Sequence, residues 1–195
     1  MVGHKTNDPK KFSVVISDTG ERAFQRGIIL GKQSVLNGQD VTWLDIELPV
    51  DISGQVRGHC MDLIGIDSDG NYVLCELKFG NSKDSPEDAA KQLCEYMKLI
   101  KANYKFLGDS YHHDNGKPIN WEKVANCHTR LVIAANNGYW ERYLEPRRKG
   151  IVCDTMGMEC YSVDIKDDTF VNQKLNKETY TPIMPEEGLK WNKIR

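Results

Sequence analysis

Residues 57–104 read RGHCMDLIGIDSDGNYVLCELKFGNSKDSPEDAAKQLCEYMKLIKANY, and this stretch decides the fold. Two short apolar runs, residues 60–66 (CMDLIGI) and 72–79 (YVLCELKF), have the length and composition of buried strands. Each carries charge where such a strand normally carries none: Asp62 in the first, Glu76 and Lys78 in the second. Between them, Asp67-Ser68-Asp69-Gly70-Asn71 is a hairpin turn signal. A three-residue loop, Ser68-Asp69-Gly70, puts Gly70 in the left-handed conformation that only glycine adopts freely. That loop sets Asp62 across from Glu76 and Cys60 across from Lys78. All three charged side chains then share one face, and directly opposed Cβ atoms lie ~4.5–5.5 Å apart. A two-residue Asp69-Gly70 turn slips the register by one and separates Asp62 from the other two. Two carboxylates holding one divalent cation therefore require the odd-length loop.

A helix follows with its own punctuation. Ser85 caps it, Pro86 suits the first helical position, and Asp88 completes an approximate capping box. Ala89, Leu93, Tyr96, Met97, Ile100 and Tyr104 form one apolar stripe. Gln92 and Tyr96 are neighbours on the helix surface at i and i+4. Lys91, Lys98 and Lys105 align seven apart on another face, either as phosphate contacts or simply as a solvated surface. Tyr96 reads equally as core.

These motifs resemble the PD-(D/E)XK nuclease superfamily, the restriction-endonuclease-like fold, and specifically its RecB-like branch. The resemblance lies in a G-x-x-x-D strand (Gly58 to Asp62), an E-x-K strand (Glu76-Leu77-Lys78) and a Q-x-x-x-Y helix (Gln92 to Tyr96). It covers about fifty residues, without the usual proline before the aspartate. It implies a single α/β domain with a central mixed sheet flanked by helices. It also implies a metal-dependent nuclease in which Asp62, Glu76 and the carbonyl of Leu77 hold Mg²⁺ or Mn²⁺. Lys78 would then act on the attacking water, and Gln92 and Tyr96 would contact phosphate or position Lys78. The family's further acidic residue, on a helix before the sheet, has Glu21 and Glu47 as candidates, each also readable as a solvated surface glutamate. The implied partner is nucleic acid, with DNA the expected substrate. A non-catalytic nucleic-acid-binding or interaction protein on a degenerate nuclease fold is the alternative.

An acidic residue two before a lysine is cheap on its own, since Asp8-Pro9-Lys10 and Asp164-Ile165-Lys166 also show it. Asp164 lies in an apolar run, residues 160–165, and competes, but it lacks a partner strand leading into a helix with Gln and Tyr at the right spacing. Charges in apolar strands are rarely retained without partners or metal, so the Asp62 cluster reads as a metal site before a structural ion pair.

The remaining sequence fits one domain over residues 1–195, with a core at about 41–165 and a C-terminal tail at 166–195. Hydrophobic residues make up 39% and charged residues 28%, as in ordinary globular proteins, and no apolar run is long enough to span a membrane. The N-terminus lacks a signal-peptide apolar core, and six cysteines without a C-x-x-C pair point to a reducing cytoplasm rather than a zinc module. A net charge of −2 argues against bulk electrostatic capture of DNA, so phosphate contacts must be local; Arg147-Arg148-Lys149 is the densest basic cluster, a candidate phosphate contact or a solvated run. A homodimer is compatible with the sequence but not encoded in it.

Before the core, residues 12–16 read as a strand, and 26–30 as a strand or as part of a helix starting near Glu21. Residues 41–50 (VTWLDIELPV) read as a strand with Leu44, Ile46 and Leu48 on one face and Trp43, Asp45 and Glu47 on the other. Later, His112-His113-Asp114 sits in a polar loop. Residues 121–126 suit a short helix, 129–135 a buried strand, 139–148 a helix and 158–165 a last strand. The tail beyond is held, if at all, by Phe170, Tyr180 and Trp191.

Overall fold

A computed structural model describes residues 20–31, 33–51, 60–80, 82–107, 119–143, 157–164 and 189–194. Residues 12–16, His112-His113-Asp114, Arg147-Arg148-Lys149, Phe170 and Tyr180 lie outside these. The hairpin forms as the odd-loop reading requires. Strands β3 (Cys60–Asp67) and β4 (Tyr72–Lys78) pair antiparallel from Ile66↔Tyr72 to Leu63↔Cys75. The Asp67 carbonyl accepts from Gly70 N at 2.9 Å, and Gly70 has φ +81°. The Asp67 carboxylate also takes the amides of Asp69 and Asn71, which locks the turn.

Helix α2 (Pro86–Asn103) starts on the expected capping box. Ser85 Oγ accepts from Asp88 N, and the Asp88 carboxylate accepts from Ser85 N. Its buried residues include Ala89, Leu93, Tyr96 and Ile100, with Met97 and Tyr104 packed alongside. Three further helices are described: α1 (Gly20–Gly31), α3 (Trp121–Asn126) and α4 (Asn137–Tyr143). Residues 26–30, open between strand and helix from sequence, are helical. α4 ends at Tyr143 within the described residues, where sequence reading carries a helix over 139–148.

The sheet adds β1 (Gln33–Leu36), β2 (Gln39–Pro49), β5 (Thr129–Asn136), β6 (Glu159–Val163) and β7 (Trp191–Lys193), and its seven strands lie in sequence order. β4–β5 and β5–β6 pair parallel and the others antiparallel, giving a mixed sheet. α1 packs on one face, over Trp43, Ile46, Leu63, Cys75 and Leu77. α2, α3 and α4 cover the other, over Leu48, Met61, Ile64 and Leu74. The sheet curls until Trp43 of β2 stacks on Trp191 of β7, with ring centroids 5.7 Å apart. The C-terminal residues thus supply a strand where sequence alone gave a tail.

One local expectation fails. Leu44, Ile46 and Leu48 should share a face, yet a β-bulge between Trp43 and Asp45 leaves Leu44 in the core under α2 and Ile46 in the core under α1, and Leu48 returns to the core under α2. Leu63 and Met61, the partners of Ile46 and Leu48, divide in the same way. Between these rungs Glu47 takes φ +49°, and the pleat breaks on both strands together. Cysteine usage departs as well: Cys60, Cys75, Cys94 and Cys127 are free, but Cys160 is disulfide-bonded.

Candidate active site

The pleat break places Asp62 outside both of its ladders. Pairs between β2 and β3 step from Ile46↔Leu63 to Leu48↔Met61, and those between β3 and β4 end at Leu63↔Cys75. The strands open there, and the Asp62 carboxylate enters the gap, where its Oδ2 accepts from Leu77 N at 2.8 Å. The expected pairing of Asp62 directly across from Glu76, with all three charged side chains on one face, is not what forms. Glu76 follows Tyr72 and Leu74 on the α2 face, while the Asp62 carboxyl meets the Leu77 amide and Gln25 of α1.

Glu76 and Lys78 are almost fully buried, at 2% and 4% exposure. Lys78 Nζ lies 2.8 Å from Glu76 Oε1 and 3.4 Å from Asp84 Oδ2. The Asp84 loop is fixed by α4: Tyr139 Oη donates to the Asp84 carbonyl at 3.0 Å, and Arg142 and Tyr143 bind the Ser82 carbonyl. Glu76 Oε2 is buried with no N–H donor among the described residues.

Carboxylates crowded in a largely buried site cannot all ionise. Burial, and then the charge of Glu76, hold the Asp62 carboxyl well above its ordinary range, against the pull of the Leu77 amide and Lys78. Burial pushes Glu76 up to about 7 even though Lys78 pulls it down. For Lys78 burial acts downward, but Glu76 outweighs it and holds the ammonium above its ordinary value. Lys78 is therefore a cation at neutral pH.

Gln92 Nε2 donates to Tyr96 Oη at 2.5 Å, and Tyr96 Oη donates to the Cys60 carbonyl at 3.0 Å. The Q-x-x-x-Y pair thus ties α2 to the start of β3, two residues before Asp62. Burial raises the Tyr96 hydroxyl, and the charges of Glu76 and Asp62 add to this. Of the two further acidic candidates, Glu21 on α1 acts electrostatically on Asp62, Glu76 and Lys78. Glu47 instead raises the Cys60 thiol, after burial. Lys91 and Lys98 are exposed on α2, and Lys91 lies 3.5 Å from Asp88. Asp164 of the competing motif is exposed at the end of β6.

Sequence reading missed Gln25. It is buried on α1, and its Nε2 donates to the Asp62 carbonyl at 2.9 Å and approaches Asp62 Oδ1 at 3.4 Å. The available signal was a glutamine four residues after Glu21, set among Phe24, Ile28 and Ile29 on the apolar side of a helix.

The donors gathered here are oxygens, suited to a hard divalent cation. Among the described residues no group of three or more His, Cys, Asp or Glu stands ready as a metal cage. No family model matches the chain, and no curated protein matches it either. Among solved structures, an EndoMS–dsDNA2 complex is similar at 18% identity and a TM-score of 0.38. That alignment covers 77% of this chain but only 46% of the other, and a likeness so slight carries no conclusion about fold or activity.

Proposed function

We propose that the protein is a metal-dependent nuclease of the PD-(D/E)XK type, RecB-like branch, that hydrolyses phosphodiester bonds in DNA. The observation that carries this reading is the approach of two carboxyls, a half-buried Asp62 and a buried Glu76, beside a buried lysine. Retaining such a group costs several kcal/mol unless a cation or substrate offsets it. Mg²⁺ or Mn²⁺ fits the residues present. Glu76 Oε2 is buried with no N–H donor, the Asp62 carboxyl lies within hydrogen-bonding reach of the Glu76 carboxyl, and with the Leu77 carbonyl they would make an all-oxygen set. When bound, such an ion neutralises phosphate charge and acidifies a coordinated water.

The chain's own groups then have separate tasks. Lys78, held by Glu76 and Asp84, directs a positive charge at the oxygen that gains charge as the phosphodiester is attacked. Its raised proton affinity favours this electrostatic task over removing a proton from water. Tyr96 and Gln92 hold the Cys60 carbonyl and so fix the strand that carries Asp62. Glu21 adds negative charge from the α1 side, which strengthens attraction for a cation.

The test is cleavage of labelled duplex, single-stranded and branched DNA, and of RNA, by the full chain with Mg²⁺, with Mn²⁺ and with EDTA. Metal-dependent cleavage of at least one DNA substrate, lost in Glu76→Gln, is the expected result. No cleavage under any condition, together with no Mn²⁺ binding by calorimetry, overturns the reading.

A further inference from the structure

From the geometry we infer that Gln25 is a positioning residue for Asp62, so that helix α1 rather than the sheet sets that carboxylate. The inference rests on the proposed metal-dependent site. A strand residue is normally located by its ladder, but Asp62 takes part in no rung on either side. Its main-chain carbonyl consequently needs another donor, because a buried carbonyl without one is costly. Gln25 supplies it: Nε2 lies 2.9 Å from the Asp62 carbonyl and also faces Oδ1 at 3.4 Å.

One amide thus spans the backbone and the side chain of the same residue. With Leu77 N on Oδ2, both carboxylate oxygens face fixed neutral donors, and the rotation of the group is set from two sides. Burial of the Gln25 side chain against the sheet, one turn after Glu21, makes the donor rigid. A neutral donor also suits the place. A cation there would compete with the metal, and a carboxylate in direct contact with Asp62 Oδ1 would repel it. Groups of this kind around metal ligands typically govern affinity or activity by 10–100-fold.

The experiment uses the full chain as wild type and as Gln25→Met, which keeps length and volume but has no donor. Mn²⁺ titration by calorimetry should give affinity weakened by about 10–100-fold, and cleavage should need correspondingly more metal. Melting should stay cooperative. A role confined to docking α1 would lower the melting temperature and leave the Mn²⁺ affinity within about threefold, and that result overturns the inference. Should Gln25→Met not fold, NMR of the wild type decides. The Gln25 side-chain amide protons should shift on Mg²⁺ addition, in step with saturation, and no shift at saturation overturns the inference. Wild type that neither binds Mn²⁺ nor cleaves fails the nuclease reading itself, and this inference falls with it. Wild type that does both while Gln25→Met matches it overturns the positioning role alone.

Discussion

Replacing Glu76 by glutamine keeps its shape and removes its charge, and the consequence can be worked out from the site. Burial raises Glu76 from its ordinary value of 4.5 to about 7 in the folded protein. Between those two pH values the folded chain holds a proton that the unfolded chain has released. Unfolding therefore liberates a proton, and stability falls as pH rises across that window. At 1.36 kcal/mol per pKa unit, ionising Glu76 costs about 3 kcal/mol by pH 8. Glutamine resembles the protonated form and still offers an oxygen to Lys78 Nζ. Glu76→Gln should match wild type in stability near pH 4.5 and exceed it by about 3 kcal/mol at pH 8. Urea unfolding in EDTA across pH 4.5–8 measures both curves. The same proton must leave when a cation binds, so Mn²⁺ calorimetry in buffers of different ionisation enthalpy should record release of at least about half a proton at pH 7. A constant gap between the two stability curves, or metal binding without proton release, would refute the reasoning.

Further outcomes follow from other parts of the fold. Asp62→Ala and Glu76→Ala should each abolish metal-dependent cleavage while the chain still melts cooperatively; residual wild-type rates on the same substrate would remove them from the site. Lys78→Ala should lose most of the rate yet keep or gain Mn²⁺ affinity, because a neighbouring cation is gone, and a large loss of affinity by calorimetry would count against its role. Arg130 binds both oxygens of Glu159, at 2.6 and 2.9 Å, and Asp67 at 3.3 Å, so Arg130→Met should cost about 3–5 kcal/mol in chemical denaturation at pH 7. Burial raises Asp67 and Glu159, but their hydrogen-bond donors outweigh it and hold both below the ordinary range. Their stabilisation is present above the unfolded carboxylate range and disappears as pH falls through their folded values, so the Arg130→Met deficit should shrink in acid. Gly65→Ala should destabilise by about 1–3 kcal/mol, because its Cβ would sit 2.8 Å from the Trp43 ring and 3.0 Å from the Thr42 carbonyl.

Local chemistry made half of this molecule readable. Gly70 and the aspartates around it dictate the turn, the turn dictates the register of β3 on β4, and Ser85 and Asp88 dictate where α2 begins. Each signal acts over a few residues, which is the range in which sequence pattern is decisive. α1 is different. Phe24, Gln25, Ile28 and Ile29 become a buried side only once the sheet is there to cover them, and a short apolar run suits a strand as well as a helix. Gln25 was hidden for that reason. The approach of Trp43 to Trp191 depends on the accumulated curl of seven strands, to which no local period points.

The failure of strand alternation at Glu47 and Asp62 explains why the site exists at all. A regular hairpin would place Asp62 and Glu76 as opposed residues on a buried face, two carboxylates with nothing between them. Repulsion and desolvation both resist that arrangement, and β-pairing contributes too little per rung to enforce it. The strands instead part after Leu63↔Cys75, β2 breaks its pleat at Glu47, and Asp62 turns into the gap to take the Leu77 amide. What the ladder loses is replaced by side chains from the flanking helices: Gln25 from α1 on the Asp62 carbonyl, and Tyr96 from α2 on the Cys60 carbonyl. The carboxyls are left close but out of the ladder, within hydrogen-bonding reach of each other and with no N–H donor on Glu76 Oε2. The sheet gives up ladder pairing at Asp62 and is held there from both faces, by Gln25 on one side and Tyr96 on the other.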